Sequence, residues 1–164
     1  WCRQRNARPG YDNYLSFFTA AIDALLASQN VALAAEAHGL GICYLGTVTY
    51  MAESIITILS IPRDVVPVAA IVLGYPDEDP GLTDRLPLSA VMHMEKYTNY
   101  DRETIEELYR EKENMPLSKK VVAENKKENL AQVFTDNRYP RKDNVYFSQQ
   151  FLQVITRQGF MNNE

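Results

Sequence analysis

Few residues in this chain have types suited to chemistry, and they lie far apart. Arg85, in Thr83-Asp84-Arg85-Leu86-Pro87, carries a permanent charge on a planar fork of donors, a shape matched to phosphate. From the residues alone, a surface arginine answering Asp77, Glu78 or Asp79 is the plainer account. Gly46 lacks a side chain and so lets the backbone come close to a flat ligand; an ordinary strand-ending glycine is the competing account. His38 closes an apolar stretch, where it can satisfy terminal carbonyls, and His93 in Met92-His93-Met94-Glu95-Lys96-Tyr97 suits a structural hydrogen bond better than proton transfer. Cys43 reads as a small hydrophobe inside a strand, and with the distant Cys2 it forms no C-x-x-C, metal framework or disulfide scaffold. The sequence has no Ser-His-Asp set, no cluster of metal ligands and no G-x-G-x-x-G. Hydrolase, metalloenzyme and dinucleotide-fold readings are therefore disfavoured, and no catalytic or metal-binding residue is assigned.

The elements that must position these residues are legible from hydrophobic patterning. Apolar or small residues fill nearly every position from Ala20 to Ala37, interrupted by Asp23, Ser28, Gln29, Asn30 and Glu36, which predicts a helix enclosed by protein on all sides. Gly39 and Gly41 end it, and Ile42 to Leu45 follow as a short enclosed strand. Ile55, Ile56 and Leu59 predict a helix over 52–59 that Pro62 stops. The nearly continuous apolar run 65–75 predicts a central strand covered on both faces, closed by Pro76 and an acidic turn. Beyond Arg85 the chain turns charged and helical: a short helix or turn over 88–93, a helix over 101–112 with Thr98 and Asp101 as its capping box, and a solvated amphipathic helix over 117–134. A loop is expected over 136–144, then a terminal helix through Phe147, Phe151, Leu152 and Ile155 that Gly159 ends.

At 164 residues a globular chain buries roughly 70% of its unfolded surface. A net charge of −4 with both signs interspersed gives no electrostatic case for nucleic acid or an anionic membrane. No apolar run is expected to reach the length that crosses a bilayer, and a reducing, cytoplasmic setting is the default. The opening polar stretch from Trp1 to Asn13 has no signal-peptide core, and starting on Trp1 it reads as the interior of a longer protein.

Several of these pieces recur together in one known family. Asp23, Gln29-Asn30, Ala34-Ala35-Glu36, Gly39-Leu40-Gly41 and Tyr44-Leu45-Gly46 are followed by Leu73-Gly74-Tyr75-Pro76 and Arg85-Leu86-Pro87. In order and spacing the set resembles the nitroreductase family of FMN-dependent oxidoreductases. The resemblance implies an α+β fold with helices around a central sheet, a long buried central helix and a helical C-terminal extension. It divides the chain into residues 1–97, the C-terminal half of a nitroreductase-like domain, and residues 98–164, an extension packing on a partner subunit. The family's N-terminal half, with an Arg-Ser-x-[RK] phosphate grip, has no counterpart in this sequence.

The resemblance further implies FMN as cofactor, NAD(P)H as co-substrate, a nitroaromatic, quinone or flavin as electron acceptor, and a homodimer. It assigns the flavin contacts to Tyr44, Leu45, Gly46 and Thr47, with Arg85 on the phosphate. Two departures stand out: Thr83 replaces a lysine that accompanies this arginine, and Thr47 replaces a second glycine. Lys119-Lys120 could meet an NADPH phosphate, although a solvated helix face is the plainer reading. A different class of function fits the same residues: a non-catalytic helical dimerisation fragment, or a degenerate relative that no longer binds flavin.

Overall fold

A computed structural model describes residues 1–162. They form two units, Trp1–Asp79 joined by the chain from Val145 onward, and Pro80–Asn144. The architecture is α+β, as expected, with the helices α1 (Tyr14–Ala37), α2 (Ala52–Leu59), α3 (Arg102–Asn114), α4 (Pro116–Glu124), α5 (Leu130–Gln132) and α6 (Arg141–Arg157). The strands β1 (Gly41–Leu45) and β2 (Ala70–Gly74) pair antiparallel, Gly41 opposite Gly74 and Leu45 opposite Ala70.

In the first unit α1 begins six residues before the apolar run does, because Asn13 caps it. The Asn13 Oδ1 accepts from the Ser16 N–H at 3.0 Å, satisfying an amide that the first turn leaves unpaired. The far end closes as the glycine predicts. Gly39 takes φ +73°, its N–H donates to the Glu36 carbonyl and the Leu40 N–H to the Ala35 carbonyl. At His38 it is the backbone N–H, bonded to the Ala34 and Ala35 carbonyls, that does the capping.

The expected enclosure of α1 by protein is not supplied by this chain alone. Only Phe17, Ala32 and Ala35 of α1 are buried, while Leu15, Phe18, Ile22, Leu25, Leu26, Val31 and Leu33 are exposed. A second expectation needs correction with it: by length and composition α1 does reach what a bilayer crossing requires. The strands are likewise open, since two strands among the described residues leave most side chains without a covering layer. Cys43 is exposed rather than enclosed, and β2 occupies only the last part of the run 65–75.

The core of this unit sits where α6 returns. Phe17, Ile155 and Phe160 are buried together, with Val66, Val68, Phe151 and Met161 packed against them. The Phe17 ring lies 6.2 Å from Phe151, edge-on, and 5.8 Å from Phe160. Gly159, at φ +99°, ends α6 and turns Phe160 inward, and the Gln158 side chain donates to the Pro62 carbonyl at 2.9 Å. α2 spans 52–59 as read, and Ser60 at φ +51° ends it before Pro62 is reached.

The second unit buries Leu130 and Val133 and is otherwise fixed by polar contacts. Asp101 caps α3 itself, its carboxylate accepting from the Thr104 N–H at 2.8 Å and hydroxyl at 2.6 Å, so Thr98 is not part of the cap. Pro116 does not merely end α3 but starts α4, where its missing N–H costs nothing. The single helix expected over 117–134 is broken. Asn125 caps α4 by donating to the Val121 carbonyl, Lys126 adopts φ +54°, and Asn129 starts the short α5. Nor is 136–144 a loop: Val133–Arg138 form a π-helical turn, and α6 starts at Arg141 directly after Pro140.

Candidate functional site

The segment Tyr44-Leu45-Gly46-Thr47 leaves the end of β1 and enters a 3-10 turn, Val48–Met51, that leads into α2. Burial of Val48 and Ala52 anchors this turn, so the backbone just before it is held from behind. The Ser28 hydroxyl donates to the Leu25 carbonyl at 2.7 Å and lies 3.0 Å from the Tyr44 hydroxyl. With the Ser28 proton committed to the carbonyl, Tyr44 is the donor between the two hydroxyls. The Tyr44 side chain thus ties β1 to α1, while its backbone sits in the ladder opposite Ile71 of β2. Leu45 is exposed.

At Gly46 a Cβ would meet no atom within 4 Å, and the φ angle is not in the left-handed region. Space is therefore open in front of the Gly46 backbone, and nothing in the local fold of this chain requires glycine there. Thr47 has φ −103° and ψ 11°, and its carbonyl accepts from the Tyr50 N–H at 3.1 Å.

Arg85 belongs to the second unit and is exposed. Its Nη1 donates to the Thr83 hydroxyl and, at 3.0 Å, to the Asp84 carbonyl. The Asp84 carboxylate is turned to Lys112 on the last turn of α3, whose hydrogen bond holds its pKa below the ordinary value of 3.8. Asp84, Arg85 and Lys112 border a cleft of about 110 Å³ together with Leu86, Pro87, Leu108, Glu111 and Met115. Because the Tyr44–Thr47 segment and Arg85 fall in different units, each stands on its own geometry.

His93 behaves as a structural residue. Its Nδ1 accepts from the Thr98 N–H at 3.3 Å, which leaves the proton on Nε2, 3.2 Å from the Tyr100 hydroxyl. Lys120 pairs with Glu124 at 3.8 Å, and Lys119 borders a cleft of about 520 Å³ shared with Arg110, Lys127, Glu106, Glu113 and Glu128. Charges of both signs meet there, unlike a dedicated phosphate patch. Among the described residues no group of histidine, cysteine or carboxylate side chains is placed to hold a metal.

Sequence reasoning noted Thr83 only as a lost lysine and missed that its hydroxyl receives Arg85. The two-residue spacing was a usable signal for that contact, whereas Lys112, 28 positions from Asp84, left none. A larger cleft of about 890 Å³ was also unforeseen. Ile105, Tyr109, Leu130, Ala131 and Phe134 line it, with Arg102, Glu106, Lys112 and Glu113 among its charged residues.

With this geometry in hand, comparison with known proteins is informative. Residues 3–75 match the model of the Nitroreductase family. The FMN reductase (NADPH) of Bacillus subtilis strain 168 is 36% identical over 114 residues, covering 63% of this chain and 45% of that protein. A Bacteroides fragilis NCTC 9343 chain, classed provisionally as an oxidoreductase, superposes with a TM-score of 0.95 at 49% identity over 98% of this chain and 65% of that one. The NfrA1 nitroreductase of B. subtilis gives a TM-score of 0.76 at 25% identity over 97% and 64%. Over residues 3–75 the chain is similar to the Nitroreductase family, and it shares the fold of these solved structures. Its match spans less than half the length of the curated FMN reductase.

Proposed function

We propose that the protein carrying this chain is an FMN-dependent oxidoreductase that takes hydride from NAD(P)H and passes it to a nitroaromatic, quinone or flavin acceptor. The observation that carries the reading is the open face at Gly46, directly after Tyr44-Leu45 and inside the segment that matches the family. The FMN reductase name of the B. subtilis relative supports the cofactor, and its NADPH qualifier the co-substrate.

Bound FMN would supply the hydride chemistry itself, so the chain contributes orientation and hydrogen bonds. The backbone at Gly46, flanked by Leu45 and Thr47, would present a side-chain-free surface to the isoalloxazine ring. Arg85, whose own-unit partners are a hydroxyl and a carbonyl, keeps its charge for the phosphate. The exposed apolar surface of α1 supports a homodimer with that helix at its interface. The apolar side chains lining the larger cleft support the extension over 98–164 as a surface that docks on the partner subunit. A cytoplasmic setting accords with two free cysteines. The same α1 surface also favours the second reading, a dimerisation module without flavin.

Melting with and without saturating FMN separates the two, since a ligand stabilises only the state that binds it. Arg85→Ala should shrink the flavin-dependent increment, and Gly46→Val should abolish it while leaving the flavin-free melting temperature in place, because no atom of the chain blocks a Cβ there. If both variants keep the parental increment, the site assignment is wrong.

A further inference from the structure

An arginine next to an aspartate is ordinarily a poor anion receptor, because the neighbouring carboxylate competes for the guanidinium. In Asp84-Arg85 this competition is removed. The Asp84 carboxylate is engaged by Lys112, and both side chains are only about a third exposed, 31% and 32% respectively, so the pair is shielded better than one in open solvent. Among the influences that depress the Asp84 pKa, the hydrogen bond from Lys112 is the strongest and the charge of Arg85 the weakest. Arg85 meanwhile donates through one nitrogen to two neutral oxygens, the Thr83 hydroxyl and the Asp84 carbonyl. Neutral acceptors orient the guanidinium without cancelling its charge, and the Nε and Nη2 donors stay uncommitted by these two bonds.

We propose that Lys112 and Thr83 are positioning residues for an anion held by Arg85: Lys112 draws the Asp84 carboxylate away, and Thr83 fixes the orientation of the guanidinium. The anion is the phosphate of FMN, and the inference rests on the reading of Arg85 given above. Thr83 is then more than a missing cation. It exchanges a second positive charge for control over the first, and the unpaired charge of Arg85 depends on a lysine on another element of the same unit.

The test compares the affinities of FMN and riboflavin, which differ by the phosphate, in the intact protein by flavin fluorescence titration. The parent should prefer FMN, and Arg85→Ala should lose most of that preference. Lys112→Met should reduce it by about tenfold or more, since Asp84 then turns to Arg85, and Lys112→Arg should keep it. Adding Asp84→Asn to Lys112→Met should restore the preference by removing the competitor, a coupling that a merely structural lysine would not show. Thr83→Val should give a smaller loss that Thr83→Ser spares.

Should Lys112→Met not fold, Asp84→Asn alone decides: its preference must equal or exceed the parent's, and a fall overturns the inference. If Arg85→Ala removes the preference and Lys112→Met does not, the positioning role is wrong and the phosphate reading stands. If Arg85→Ala leaves it unchanged, or the parent shows none, both are wrong. Inorganic phosphate should compete with FMN but not with riboflavin, and competition with both would place the anion elsewhere.

Discussion

The two units solve the problem of holding their elements together in opposite ways. The first relies on apolar contacts between residues distant in sequence, Phe17 against Phe151, Ile155 and Phe160, and its helix ends close mainly through backbone groups. The second has little to bury beyond Leu130 and Val133 and instead uses side-chain hydrogen bonds: Asp84 to Lys112, Asp101 to Thr104, Asp136 to Lys127, and Asn125 to Asn137. The carboxylates whose pKa values are resolved as depressed, Asp84, Asp101 and Asp136, all lie in the second unit. Apolar burial responds to deletion of volume, and carboxylate networks respond to protons. The same chain should therefore have two kinds of weakness, separable by experiment.

The largest effect is expected in the first unit. Phe17→Ala removes the ring at the centre of its core and should cost about 3–5 kcal/mol, read as a fall in melting temperature. A loss below 1 kcal/mol would mean that the core is not where the packing places it. Next come the two N-caps, one neutral and one ionisable. Asn13→Ala should cost about 1 kcal/mol at any pH between 3 and 8. Asp101→Ala should destabilise α3 at neutral pH and hardly at all in acid, where the cap is already protonated.

The sign follows from the depressed pKa values. The Asp101 carboxylate is held low first by the Thr104 hydroxyl and then by its N–H, Asp84 first by Lys112, and Asp136 first by Lys127 and then by Thr135. Each contributes stability that is fully present above the unfolded value of 3.8 and is lost as pH falls through the lower folded value. An amide-resolved titration should therefore show the Thr104 N–H responding in acid while the Ser16 N–H, capped by Asn13, does not. Equal responses would remove the distinction between the units. The smallest effect is expected at Arg102, whose pair with Glu106 at 2.7 Å is exposed: Arg102→Gln should leave the melting temperature within error.

What could be read from the sequence follows the same division. The glycine stop at Gly39, the span of α2 and the end of α6 at Gly159 all rest on local backbone rules, and these were legible. The start of α1 was missed because the apolar pattern begins well after its cap, although Asn13 and Ser16 were there to be seen. Exposure of α1, β1 and Cys43 was misread because an apolar sequence states what must be covered, not which chain covers it. In the second unit the region 125–141 resists a pattern reading: Lys126 in the left-handed region and a π-helical turn have no reliable signature in amino-acid type. At the candidate site, Gly46 and Arg85 were found only through their place in a family pattern, and the groups that shape Arg85's surroundings needed coordinates.

The Asn162 side chain donates to the Asp12 carboxylate at 2.7 Å across 150 positions of sequence. This contact bears on the birth of the protein as well as on its finished form. A ribosome adding about 5–20 residues per second releases Phe17 on the order of ten seconds before its partners Ile155 and Phe160. Throughout that interval the segment Pro80–Asn144, whose bonds are mostly short in sequence, can be completed, while the apolar side chains of α1 gain no cover from α6 or Phe160. A chaperone that shields one stretch of this chain during synthesis would act to greatest effect on the apolar surface of Tyr14–Ala37.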